Sequence, residues 1–197
     1  DLAEIREIDV GSWFDSRFAG ERVPTLQEVL AAVRDSARLF IELKYYGHDQ
    51  QLEQRVVDIV ESMDMADQLA IMSLKLAGVE KLKAIRPDWP AGLLAATAVG
   101  DLSRLDVDFL AVNQNMANPA FIKRVHESGK QLFVWTVNDG LSLSRWMSMG
   151  VDGVITDEPA LARNILAQRR ELSSGERLLL SLAALFGKPE IAKHYRD

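Results

Sequence analysis

The chain contains no cysteine, which removes disulfides, thiolate metal ligands and cysteine nucleophiles together and leaves the redox compartment unread. Glycine and proline are scarce, 12 and 6 of 197 residues, so collagen-like and low-complexity sequence is excluded. The longest largely apolar stretch, the nine residues 178–186 with Ser181 among them, is about half of the ~18 to 20 residues that span a bilayer. Basic charge is in deficit: 23 Lys and Arg against 29 Asp and Glu leave a net charge of -6. Such a surface repels a phosphate backbone, and nucleic acid is not an expected partner. No Gly-rich phosphate loop, nucleophile-elbow serine or HExxH motif occurs. Position 1 is Asp with no basic-then-apolar leader behind it, so the expectation is a processed chain or one piece of a longer protein, its compartment unknown.

What is there is a globular composition, 48% hydrophobic and 26% charged, enough for one sizeable core. From about residue 24, short β-rich apolar runs alternate with amphipathic stretches of helical period, the signature of βα units and a parallel sheet. Strands are expected at 39–44, 69–73, 92–96, 109–113, 131–137 and 153–156, and helices at 25–36, 50–63, 75–85, 118–128, 140–148 and 158–170. Thr25 with Glu28 forms a capping box, Pro119 suits a first helical turn, and Gly129 and Gly150 stand where helices must stop. Residues 1–23, with Trp13, Phe14 and Phe18 among glycines and charges, read as a structured loop with a short helix. The chain divides into a βα domain, 1–171, and a C-terminal apolar helix and tail, 172–197, where Ser173 and Glu176 repeat the capping-box pattern before the apolar stretch. That stretch should pack on the domain or on a partner.

Alternation along Ile41-Glu42-Leu43-Lys44 puts two apolar residues on one face and a carboxylate and an ammonium on the other. Both faces of a parallel sheet are normally covered, and uncompensated buried ions are costly. The pair is therefore either a rim ion pair or a site for a metal and an anion. Trp135 shares a face with Phe133 and either walls a pocket or fills the core. Asn113 closes its strand at the end where βα enzymes bind ligands, although strand-end Asn also forms turns. Asp157 orients a ligand or caps the next helix, capping being the simpler role. Of three histidines, His126 lies inside a helix and His194 in the tail, and His48, in the loop after Lys44, reads as solvated.

Together these segments resemble the glycerophosphodiester phosphodiesterase family. The resemblance is carried by Asp9-Val10-Gly11-Ser12-Trp13-Phe14, by residues 20–30 (GERVPTLQEVL), by Ile41-Glu42-Leu43-Lys44, by Val134-Trp135-Thr136-Val137-Asn138 and by residues 150–157 (GVDGVITD). It implies a (β/α)8 barrel of the TIM type that hydrolyses glycerophosphodiesters to glycerol 3-phosphate and an alcohol with a divalent ion, Mg or Ca. It also implies that Glu42 is a metal ligand, that Lys44 meets the substrate phosphate, and that Trp135 lines the glycerol side of the pocket. Mg and Ca prefer carboxylate oxygens, and a cation beside a phosphoryl group offsets its developing charge.

The family's His-Arg-Gly, Glu-x-Asp and His-Asp motifs are not present, and in the family's order they would precede Asp1. The expectation is an α/β, incomplete barrel of about six βα units, inactive alone, whose open edge invites self-association. The apolar tail with Arg169, Arg170 and Arg177 also resembles family members carrying a membrane domain upstream. A rival reading is a non-catalytic anion-binding domain on a degenerate barrel. A barrel related to phosphoinositide or sphingomyelin phospholipases fits residues 24–30 and 134–139 less well.

Overall fold

Six short apolar runs pair in chain order into one parallel sheet, β1 (Leu39–Glu42), β2 (Leu69–Ser73), β3 (Ala91–Ala95), β4 (Phe109–Asn113), β5 (Gln131–Trp135) and β6 (Gly153–Val154). The computed structural model describes residues 1–46, 51–97 and 100–173, with 175, 176, 179, 180 and 182. Helices α1 (Leu2–Glu7) and α2 (Leu26–Val33) precede the sheet, and α3 (Leu52–Ser62), α4 (Leu76–Ile85), α5 (Pro119–Glu127), α6 (Gly140–Met149) and α7 (Pro159–Glu171) follow. The expected strands and helices are all found with their ends moved by at most three residues: β1, β5 and β6 stop short of the expected runs, β3 begins one residue earlier, and α6 and α7 run one residue further. Between β3 and β4 the link is a 3-10 turn, Leu102–Arg104, in place of a helix. The first 23 residues are α1 and a second such turn, Ser16–Phe18.

The end signals act as read. Thr25 Oγ1 accepts from Glu28 N while Glu28 receives the Thr25 amide. Asn118 caps α5 with Pro119 in its first turn, and Gly129 and Gly150 take φ of 78° and 80°, which a side chain tolerates poorly. Ser173 and Glu176 exchange the same reciprocal hydrogen bonds as Thr25 and Glu28. Asp157 departs from its expected role. Helix α7 has no side-chain cap, because the Asp157 carboxylate accepts from Asn138 Nδ2 at 2.8 Å and Thr156 Oγ1 takes the Glu158 amide.

The sheet is strongly curled. In a flat sheet β1 and β5 would stand four strand spacings apart, roughly 19 Å, yet the Phe40 and Phe133 rings meet at 5.2 Å and both touch Phe109 at 5.5 Å. This aromatic triad sits on the concave face, and the register makes room for it with glycine. A Cβ at Gly92 would overlap the Phe109 ring, and one at Gly153 would stand 2.7 Å from Phe133. The convex face carries the core: Ile71, Leu110, Leu132 and Val134 pack under Val57, Val60, Val79, Leu82, Val125, Leu143 and Trp146. The result is a half-barrel of βα units, the incomplete (β/α)8 architecture expected from the sequence.

Candidate functional site

Cross-strand register decides which side chains meet inside the curl, because directly paired residues of parallel strands share a face. Phe40 pairs with Ala70, Glu42 with Met72, Leu94 with Ala111, Ala111 with Phe133, and Asn113 with Trp135. Since Phe40 and Phe133 both lie in the concave triad, Glu42 and Trp135, each two residues further on, lie on that face one step nearer the carboxyl ends. Ile41 and Leu43 join the helix-side core. Lys44 Nζ stands 3.6 Å from Glu42 Oε2, with the carboxylate about three-quarters covered and the ammonium about half exposed, at 26% and 55%. The two charges thus face the cup and are not lost among the helices.

Trp135 is held rather than loose. Its Nε1 donates to the Ala111 carbonyl at 2.9 Å, fixing the indole across β4. Asn113 shares that face, and its Oδ1 accepts from Asn115 N, closing the turn after β4. The turn-forming role is therefore occupied by one of its two polar atoms. Next to Trp135, Asn138 ties two loops at the same end of the sheet: Oδ1 accepts from Thr156 Oγ1 and Asp157 N while Nδ2 reaches Asp157. Sequence alone did not single out Asn138, because its partners lie in another βα unit.

Around Lys44 the backbone is fixed by its neighbour. Tyr45 Oη donates to the buried Glu53 carboxylate at 2.7 Å, and Lys75 Nζ lies 5.2 Å from the Tyr45 ring centre. In the sequence Glu53 looks like any first-turn acid of a helix, so nothing marked it as buried.

The loop before α2 also belongs to this end. The far end of α2 meets the start of β2, with Arg34 reaching the Met63 carbonyl and Asp35 paired with Gln68. Its first turn therefore lies toward the carboxyl ends of the strands. Asp9 organises that loop, receiving the amides of Gly11, Ser12 and Gly20 and the Ser12 hydroxyl. These bonds, those from Ser12 foremost, hold its carboxyl far below the ordinary carboxylate range.

Acid-base partners are few on the cup. His126 Nε2 lies 2.9 Å from Asp152, which also takes the Leu132 amide, at the amino ends of β5 and β6. It stands at the end of the sheet opposite Glu42, inside a helix as the sequence predicts. His48 and His194 lie outside the described residues, as do Arg177 and most of the apolar stretch. Among the described residues no three His, Cys, Asp or Glu side chains converge as a metal cage, so Glu42 stands in no preformed set of three there. Nor is any helix of those residues long and apolar enough to cross a membrane. A cavity of about 540 Å³ lies at the opposite end of the triad, lined by Phe40, Phe109, Phe133, Trp89 and Arg38, away from the charged pair.

The chain is similar to known proteins in sequence and in fold. Residues 1–161 match the glycerophosphoryl diester phosphodiesterase family. YhdW of Bacillus subtilis, whose name places it among the glycerophosphodiester phosphodiesterases, is 29% identical over 167 residues, 80% of this chain and 68% of its own. A glycerophosphodiester phosphodiesterase of Caldanaerobacter subterraneus is 29% identical over 175 residues, 84% of this chain and 70% of its own. The crystal structure of a glycerophosphodiester phosphodiesterase from Parabacteroides distasonis superposes with a TM-score of 0.75 at 23% identity, over 87% of this chain and 72% of that one. A phosphodiesterase of Oleispira antarctica, solved with sn-glycerol-3-phosphate, gives 0.72 at 22% identity, over 85% and 70%. At those identities the two structures speak for the fold.

Proposed function

Because the chain belongs to the glycerophosphoryl diester phosphodiesterase family, we propose that it binds the glycerol-phosphate part of a glycerophosphodiester, whose hydrolysis yields glycerol 3-phosphate and an alcohol. The observation that carries this reading is the Glu42–Lys44 pair inside the curl, with Trp135 on the same face and at the same end. Lys44 is the phosphate contact: a half-exposed ammonium at a strand end can meet a phosphoryl oxygen without first leaving a buried partner. Trp135 supplies a fixed apolar wall for the glycerol carbons, and Asn113 a polar group beside it.

A divalent ion, Mg or Ca, would add charge neutralisation at the phosphoryl group. The described side chains do not fit it as a set, since Glu42 is a single carboxylate. Hydrolysis also needs a proton donor for the leaving alcohol, and the histidine among the described residues, His126, stands at the opposite end of the sheet. We therefore read the described residues as the phosphate-binding part of a phosphodiesterase site, inactive without further residues to supply the proton donor and the remaining metal ligands. The same facts favour one alternative, an anion-binding domain that performs no hydrolysis in any assembly.

The test is calorimetric titration with sn-glycerol 3-phosphate, paired with an assay for its release from glycerophosphocholine with and without EDTA. Binding without turnover is expected. Lys44→Ala should abolish the binding heat, and undiminished binding by that variant would refute the phosphate assignment. Turnover that EDTA removes would refute the inactivity and give Glu42 a cation to hold.

A further inference from the structure

The sheet holds the chain as far as Leu43, whose N–H donates to the Met72 carbonyl at 2.8 Å and whose carbonyl accepts from Ser73 Oγ at 2.9 Å, so the direction of Lys44, one residue further on, depends on what fixes the chain after it. The next residue supplies the constraint. Tyr45 is gripped from three sides: its hydroxyl donates to Glu53 in the first turn of α3 at 2.7 Å, Lys75 at the start of α4 lies over its ring at 5.2 Å, and the ring fills the notch at Gly78, where a Cβ would overlap the hydroxyl. Glu53 is 3% exposed, and a buried carboxylate in the first turn of a helix is stabilised by the helix dipole and by its donor. The bond is therefore well placed to persist.

Because neighbouring residues of extended chain project to opposite sides, fixing Tyr45 on the helix side fixes Lys44 on the cup side. We infer that Tyr45, through its bond to Glu53, is a positioning residue that presents Lys44 to the phosphate. The inference deepens the reading of the site and rests on Lys44 being the phosphate contact. Tyr45 itself touches no ligand. Its effect is to remove conformations in which Lys44 turns away, which otherwise reduce the apparent affinity by the fraction of competent chains.

The experiment is titration of the full chain with sn-glycerol 3-phosphate, alongside thermal unfolding, for Lys44→Ala, Tyr45→Phe, Glu53→Gln and the double variant Tyr45→Phe/Glu53→Leu. Tyr45→Phe should weaken binding about five- to tenfold, an amount of the order of one hydrogen bond. Glu53→Gln retains an acceptor and should bind within about twofold of the parent. The double variant removes both partners, so its unfolding midpoint should stay near the parent's while its binding matches Tyr45→Phe, and it serves if the single variant folds poorly. Parental affinity in Tyr45→Phe or in the double variant overturns the inference, as does an equal loss in Glu53→Gln. Parental affinity in Lys44→Ala overturns the site itself, a result that the Tyr45 variants do not produce.

Discussion

At 3.6 Å from Lys44, Glu42 both neutralises the ammonium and repels any anion that approaches it. Two unit charges at about 4 Å interact by about 1 kcal/mol in water, and exposed pairs realise less. Glu42→Gln should therefore strengthen sn-glycerol 3-phosphate binding two- to fivefold when measured in EDTA. The gain should shrink or reverse on adding Mg or Ca if the carboxylate holds the cation. Asp9 gives a second prediction. Its carboxyl is depressed in the folded chain by the Ser12, Gly20 and Gly11 donors, so its stabilising effect is complete above the unfolded value near 4 and is lost as pH falls toward the folded value. Asp9→Asn should thus lower the unfolding midpoint at pH 6, and the difference from the parent should narrow on titrating from pH 4 to pH 2. A constant difference over that range would show that the bonds do not depend on ionisation.

At the scale of the element, the glycines of β3 and β6 set the curl. Gly92 and Gly153 lie under Phe109 and Phe133, so Gly92→Val must displace a ring that also contacts Phe40, and a loss of about 1 to 3 kcal/mol in denaturant unfolding is expected. Thr25→Ala should cost about 1 kcal/mol by the same measurement, since it removes the acceptor for the Glu28 amide. These elements were largely legible in the sequence because their signals are local. The period of 39–44 put Glu42 and Lys44 on one face, and Gly150 marked a helix end. What could not be read depends on partners far along the chain. The aromatic triad joins Phe40 to Phe109 and Phe133, Asn138 finds Asp157, and Tyr45 finds a glutamate whose burial only the packed helices determine. Asp157 was misread for that reason: a helix-capping aspartate and one already engaged by an asparagine look identical until the second loop is in place.

At the scale of the whole molecule, the curl leaves two boundaries. Among the described residues β1 pairs only with β2 and β6 only with β5, so each presents a row of backbone donors and acceptors along one side. Inside the arc Phe40 is 40% exposed, although its ring is the kind of group that closed barrels bury. Open strand edges and an exposed aromatic interior favour pairing with another chain. A second copy carries the same open edges and the same exposed ring, so it is the partner the prediction names. Sedimentation of the purified chain should then report a species of twice the mass, concentration-dependent in the micromolar range, and Phe40→Glu should shift it to monomer by placing a charge inside the arc. A monomer at all concentrations would remove the second copy as the closing partner. A dimer indifferent to Phe40→Glu would move the interface to the convex helices or the tail.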